Sequence, residues 1–123
     1  MNPVQLPFLV EGIILLTAAV FGLLLYRSGK PYGKVKLVVH LFFFIWFSAG
    51  FGFITFGIIT MKAASGIWVP VFLIGLAILA QLITGIMALA LKNVGKALPK
   101  VHMFSAILML LSDICAFIIA GVR

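Results

Sequence analysis

The chain contains two histidines, and both stand in the same setting. Gly33-Lys34-Val35-Lys36-Leu37-Val38-Val39-His40 and Gly95-Lys96-Ala97-Leu98-Pro99-Lys100-Val101-His102 each begin with Gly-Lys, carry a second Lys and close on Val-His. Each then opens a long apolar run. The neutral imidazole is a common ligand of transition metals and of haem iron. If both runs are helices entering a bilayer from one face, the two rings lie at one depth, as two axial ligands of a single metal must. The competing reading is that each is an interfacial histidine bonded to a neighbour.

The composition requires a membrane to hold such helices. Of 123 residues, 65% are hydrophobic and 9% charged, with a mean hydropathy of +1.36, far above the balance of a soluble domain. The net charge of +7 does not point to nucleic acid, because the basic residues lie between apolar runs and not on a polar face of their own. Residues 8–26, 37–61, 69–91 and 101–122 are each long enough to cross a hydrocarbon core of about 30 Å. Pro7 and Pro99 suit first helical turns, and Trp68 suits the membrane interface. Arg27, Lys30, Lys34, Lys36, Lys92, Lys96 and Lys100 belong to the loops after the first and third runs, whereas Lys62 and Arg123 belong to the other side. Seven against two puts the loops in the cytoplasm and both termini outside it. No basic residue precedes the first apolar run, so a cleaved signal peptide is not expected. The expected fold is an all-α, integral membrane four-helix bundle forming one domain, in contact with the lipid bilayer and located in a bacterial inner membrane. It consists of two pseudo-repeated hairpins, because the histidines are offset by 62 residues and the pairs Gly12/Gly22 and Gly75/Gly85 by 63. Two spans separate the copies, which therefore share one orientation.

A planar macrocycle needs more than two ligands. It needs backbone clearance, apolar walls and cations for its propionates. Gly22 and Gly85 fall in the histidine half of the membrane, where a missing side chain would let a porphyrin edge approach, although glycines also serve plain helix contact. Phe43, Phe44 and Phe47 follow His40 at helical spacing, as Ala106 and Met109 follow His102. Lys34, Lys36, Lys96 and Lys100 stand at the surface where propionates would emerge. Asp113 lies three turns beyond His102, and Gln81 is expected at comparable depth; the two form either a quinone or proton site or a polar pair that fixes register. Glu11 is expected to be an anchor near the outer surface, within reach of Lys62. Cys115, the single cysteine, is expected to be a small buried hydrophobe.

With Lys34 leading to His40 and Lys96 to His102 in a four-span chain, the sequence resembles the small b-type cytochromes of bacterial membranes, including the cytochrome b561-like group. The resemblance implies haem b held by His40 and His102, electron transport, and redox partner subunits in the membrane. Members commonly carry two haems on four histidines; this chain has two histidines and so matches half of that arrangement. A single haem near the cytoplasmic face leaves the far side uncovered, which favours exchange with quinone or a neighbouring subunit over transfer across the membrane. Two other readings stand beside it. One is a pigment-binding or structural subunit of a photosynthetic or respiratory complex, with a chlorophyll-type ligand. The other is a small transporter. No hydrolase motif is present, and an electron carrier or accessory subunit is expected over a stand-alone enzyme.

Overall fold

A computed structural model describes residues 1–61, 65–91 and 95–122. The chain forms four long helices, α1 (Gln5–Ser28), α2 (Lys34–Met61), α3 (Trp68–Ala90) and α4 (Ala97–Gly121), with one 3-10 turn (Ser65–Ile67) before α3. All four are long and apolar enough to cross a membrane. Expected and observed spans differ mainly at the starts. The helices α1, α2 and α4 begin three or four residues before the apolar runs do. Backbone hydrogen bonding carries the helix outward through Lys34, Lys36 and Lys100, whose charged ends can reach past the apolar slab. Pro7, Pro70 and Pro99 are each the third residue of their helix, a position whose N–H has no intrahelical acceptor to lose.

The repeat is present in the packing. On α1 the buried residues include Phe8, Glu11, Ile14 and Ala18, and 63 positions later α3 buries Val71, Ile74, Ala77 and Gln81. Phe47 on α2 and Met109 on α4, 62 apart, are each 1% exposed at the centre of the bundle. Contacts between hairpins follow the same rule. Gly12 of α1 faces Asp113 of α4, and Gly75 of α3 faces Phe51 of α2. The symmetry is incomplete, because α1 packs along both α2 and α4 and α3 packs along α4, while α2 and α3 form no comparable interface among the described residues. Consequently, among the described residues, α2 buries only Phe47 and Ile58.

Two apolar layers fill the interior. Ile14, Leu15, Phe47, Ile74, Ala77 and Met109 make the central one, and Phe8, Ile58, Ile67, Val71, Ala116 and Ala120 the one near the termini. The terminal end is fastened by Asn2, whose Oδ1 accepts from the backbone N–H groups of Val4 and Gln5 at 3.0 and 2.9 Å while its Nδ2 donates to Ala120 O at 2.8 Å. One side chain thus caps α1 and ties it to α4. At the other end Gly29, at φ 68°, closes α1 with its N–H on Leu25 O at 3.0 Å. Lys30 Nζ donates to Leu91 O, so the loop after α1 meets the end of α3.

Candidate functional site

The histidines are the seventh residue of α2 and the sixth of α4, and both point into the loop end of the bundle, partly buried. Each lies against the glycine of the preceding helix. A Cβ on Gly22 would stand 2.8 Å from His40 Cε1, and one on Gly85 would stand 3.7 Å from His102 Cε1. The space expected for a porphyrin edge at Gly22 is therefore taken by the imidazole of His40 itself. Any Cβ there would push the ring away, whereas at Gly85 the clearance is an ordinary van der Waals contact.

Hydrogen bonding then sets the tautomers. His40 Nδ1 lies 2.7 Å from Ala18 O. A carbonyl can only accept, so this nitrogen carries the hydrogen, and in a neutral ring the lone pair belongs to Nε2. His102 Nδ1 lies 2.6 Å from Thr84 Oγ1. The Thr84 hydroxyl has one hydrogen, which it gives to Ala80 O at 2.6 Å, one turn back on α3. With the hydrogen placed there, its oxygen accepts from His102 Nδ1–H. Both rings are thus anchored through Nδ1 to the preceding helix.

The rings face one another across the bundle with centres 6.3 Å apart and planes at 58°. An imidazole nitrogen binds a metal at about 2 Å, and two opposed rings on one metal have centres about 6 Å apart once the ring radius is included. The observed separation fits that spacing. The α4 side is braced further. Gln81 Nε2 donates to His102 O and to Ser105 Oγ, the latter at 2.6 Å, and Ser105 Oγ donates to His102 O at 2.9 Å. This fixes the turn of α4 that carries His102. Among the described residues, no three His, Cys, Asp or Glu side chains gather as a metal cluster. A bare metal ion would find two protein ligands here, short of the four a zinc site needs.

The other expected residues separate into those near the pair and those elsewhere. Phe47 and Met109, two turns further in, floor the site as part of the central layer, and Phe43 and Phe44 pack against that layer. Lys34, Lys36, Lys96 and Lys100 are exposed at the loop end of α2 and α4. Gln81 and Asp113 do not come together. Gln81 belongs to the His102 network, while Asp113, eight residues after Ser105 on α4, lies about 12 Å further along the helix against Gly12 of α1. Helical rise along two antiparallel neighbours decides this, since Gln81 advances toward the loops as Asp113 recedes from them. Glu11 is not a surface anchor. It is 5% exposed, turned inward against Gly50 of α2, and Lys62, its expected partner, lies outside the described residues, as do Lys92 and Arg123. Cys115 is exposed on the outer face of α4 instead of buried.

Three participants escaped the sequence reading: Ala18, Thr84 and Ser105. A backbone carbonyl has no signature of its own. Thr84 and Ser105 had one, because Thr84 precedes the repeated glycine of α3 and Ser105 follows His102 at i+3. Compared with known protein families, curated proteins and solved structures, the chain matches none.

Proposed function

We propose that the chain is a membrane-embedded haem b protein in which His40 and His102 hold one iron, serving as a one-electron carrier within or beside a larger redox assembly. The observation that carries this reading is the pair of neighbouring imidazoles, each held through Nδ1 by the preceding helix. Two imidazoles with centres 6.3 Å apart, each anchored through Nδ1 to the preceding helix, leave Nε2 on each ring as the nitrogen that would hold a metal. A tetrapyrrole supplies the four further donors that the described side chains lack, which favours haem over a bare ion. Bound haem supplies reversible one-electron exchange. The protein's own part is positional. Ala18 O and Thr84 Oγ1 hold the rings in orientation, Gln81 and Ser105 hold the α4 turn, and Phe47 and Met109 close the floor against water. Lys34 and Lys96 provide cations at the loop end for propionates.

The positive loops are placed in the cytoplasm and both termini on the opposite side, in the inner membrane of a bacterium. With ligands at one end only, the site sits in the cytoplasmic half of a core about 30 Å thick. Its electrons are exchanged with a neighbouring subunit or a membrane quinone on that side. Absorption spectra of detergent-purified protein, oxidised and reduced, test the reading directly. Wild type should give the bands of low-spin haem, and His40→Ala and His102→Ala should each abolish them. Retention of the wild-type bands in both variants would refute shared ligation, and chlorin bands would replace haem with a pigment.

A further inference from the structure

The half of the bundle away from the basic loops contains both acidic residues of the chain, and the histidine site uses neither. Glu11 is 5% and Asp113 4% exposed. Glycines make their room. A Cβ on Gly12 would stand 2.8 Å from Asp113 Oδ2, and one on Gly50 would overlap Glu11 Oε1. The carboxyls thus occupy one layer, Asp113 entering from α4 and Glu11 lying between α1 and α2.

Within that layer Glu11 Oε2 is buried with no hydrogen-bond partner among the described residues. Among the described residues, the helices packed around it offer no cation in this half of the bundle. α2 has no titratable residue beyond His40 and presents Gly50, α3 has none along its length, and α4 presents Asp113, with Cys115 turned outward. A groove of about 440 Å3 between α1 and α2 leads to this carboxyl from the helix ends, lined by Pro3, Pro7, Glu11, Gly50, Ile54 and Gly57 among others.

We propose that Glu11 and Asp113 form a proton-binding site in the half of the membrane opposite the histidines, taking up and releasing one proton through this groove. Two bare carboxylates in one layer of low dielectric repel each other, and each has lost its hydration. A metal cation would relieve the repulsion, but a hard cation collects about six oxygens, and two carboxyls supply four at most. A proton needs one oxygen. Uptake converts one carboxylate to the neutral acid, leaves a single negative charge on the pair and gives the buried Oε2 the hydrogen it lacks. Nothing in this requires haem, so the site stands or falls independently of the histidine reading.

A hydrophobic carbodiimide tests it, since the reagent partitions into the membrane and couples to protonated carboxyls. Protein in native lipid should gain reagent mass on the peptide carrying Glu11, and Glu11→Gln should lose it. Asp113→Asn should slow labelling of Glu11, because the neighbouring negative charge that favours the neutral acid is gone. Gly57→Leu, which fills the groove without touching either carboxyl, should slow labelling while leaving haem content at the wild-type level. Absence of Glu11 labelling in inserted wild-type protein would overturn the proposal. Rates unchanged in both Asp113→Asn and Gly57→Leu would overturn it equally, and protection by sodium ions would replace the proton with a metal cation.

Discussion

Gly22→Ala and Gly85→Ala are the same change at positions related by the repeat, yet the structure predicts opposite outcomes. At Gly22 the new methyl would lie 2.8 Å from His40 Cε1 and 3.2 Å from Nδ1, against an optimal carbon separation of about 3.5 to 4.0 Å. The ring must withdraw by about 0.7 Å or more. Withdrawal cannot spare the hydrogen bond, because Ala18 O lies one turn away on the same helix as the intruding methyl. Overpacking of this kind costs about 1 to 3 kcal/mol, and loss of one hydrogen bond adds about 0.5 to 1.5 kcal/mol. If about 2 kcal/mol of that falls on ligand binding, haem affinity drops about thirtyfold. At Gly85 the methyl meets His102 Cε1 at 3.7 Å, an ordinary contact, and alanine in place of glycine favours a helix interior by about 0.8 to 1 kcal/mol. That variant should bind haem like wild type and melt at the same or a higher temperature. Haem titration of purified apoprotein, followed by thermal unfolding with and without haem, reads both effects. Equal haem affinity and equal melting temperature in the two variants would refute the claim that Gly22 exists to seat the His40 ring.

Further tests address the second histidine, the bracing and the topology. Thr84→Val removes the acceptor for His102 Nδ1–H and should weaken haem binding about 10- to 100-fold, the usual effect of losing a group that orients a metal ligand; Thr84→Ser should restore it. Phe47→Ala, in the most enclosed layer, should destabilise the protein by about 3 to 5 kcal/mol, measured by thermal or denaturant unfolding in detergent. Cys115→Ser, on the outer face of α4, should leave the melting temperature nearly unchanged and provide a background free of cysteine. In that background, cysteines introduced at positions 31 and 95 should react with an impermeant reagent only from the cytoplasm, and labelling from outside would invert the orientation.

The four helices were legible because nothing local competes with them. Runs of apolar residues broken by Gly-Lys and Pro punctuation permit one kind of element in a membrane, and only the helix ends moved, since a lysine stem can continue a helix past the apolar slab. The histidine pair was legible because it repeats with its flanking lysines. The exchange of partners among the polar residues was not. Whether Asp113 lies beside Gln81 or against Gly12 of α1 depends on how α4 is shifted along α1 and α3, a quantity set by packing of Phe47, Met109 and their neighbours and carried by no spacing within one helix. The same holds for Gly22, whose missing side chain is visible in the sequence while the ring that fills the space comes from another helix. The pattern by itself determined which residues share a depth and a stripe. Only the tertiary structure decided which of them touch, and with that the anchor of each imidazole and the burial of Glu11, because both are properties of neighbours brought in from elsewhere in the chain.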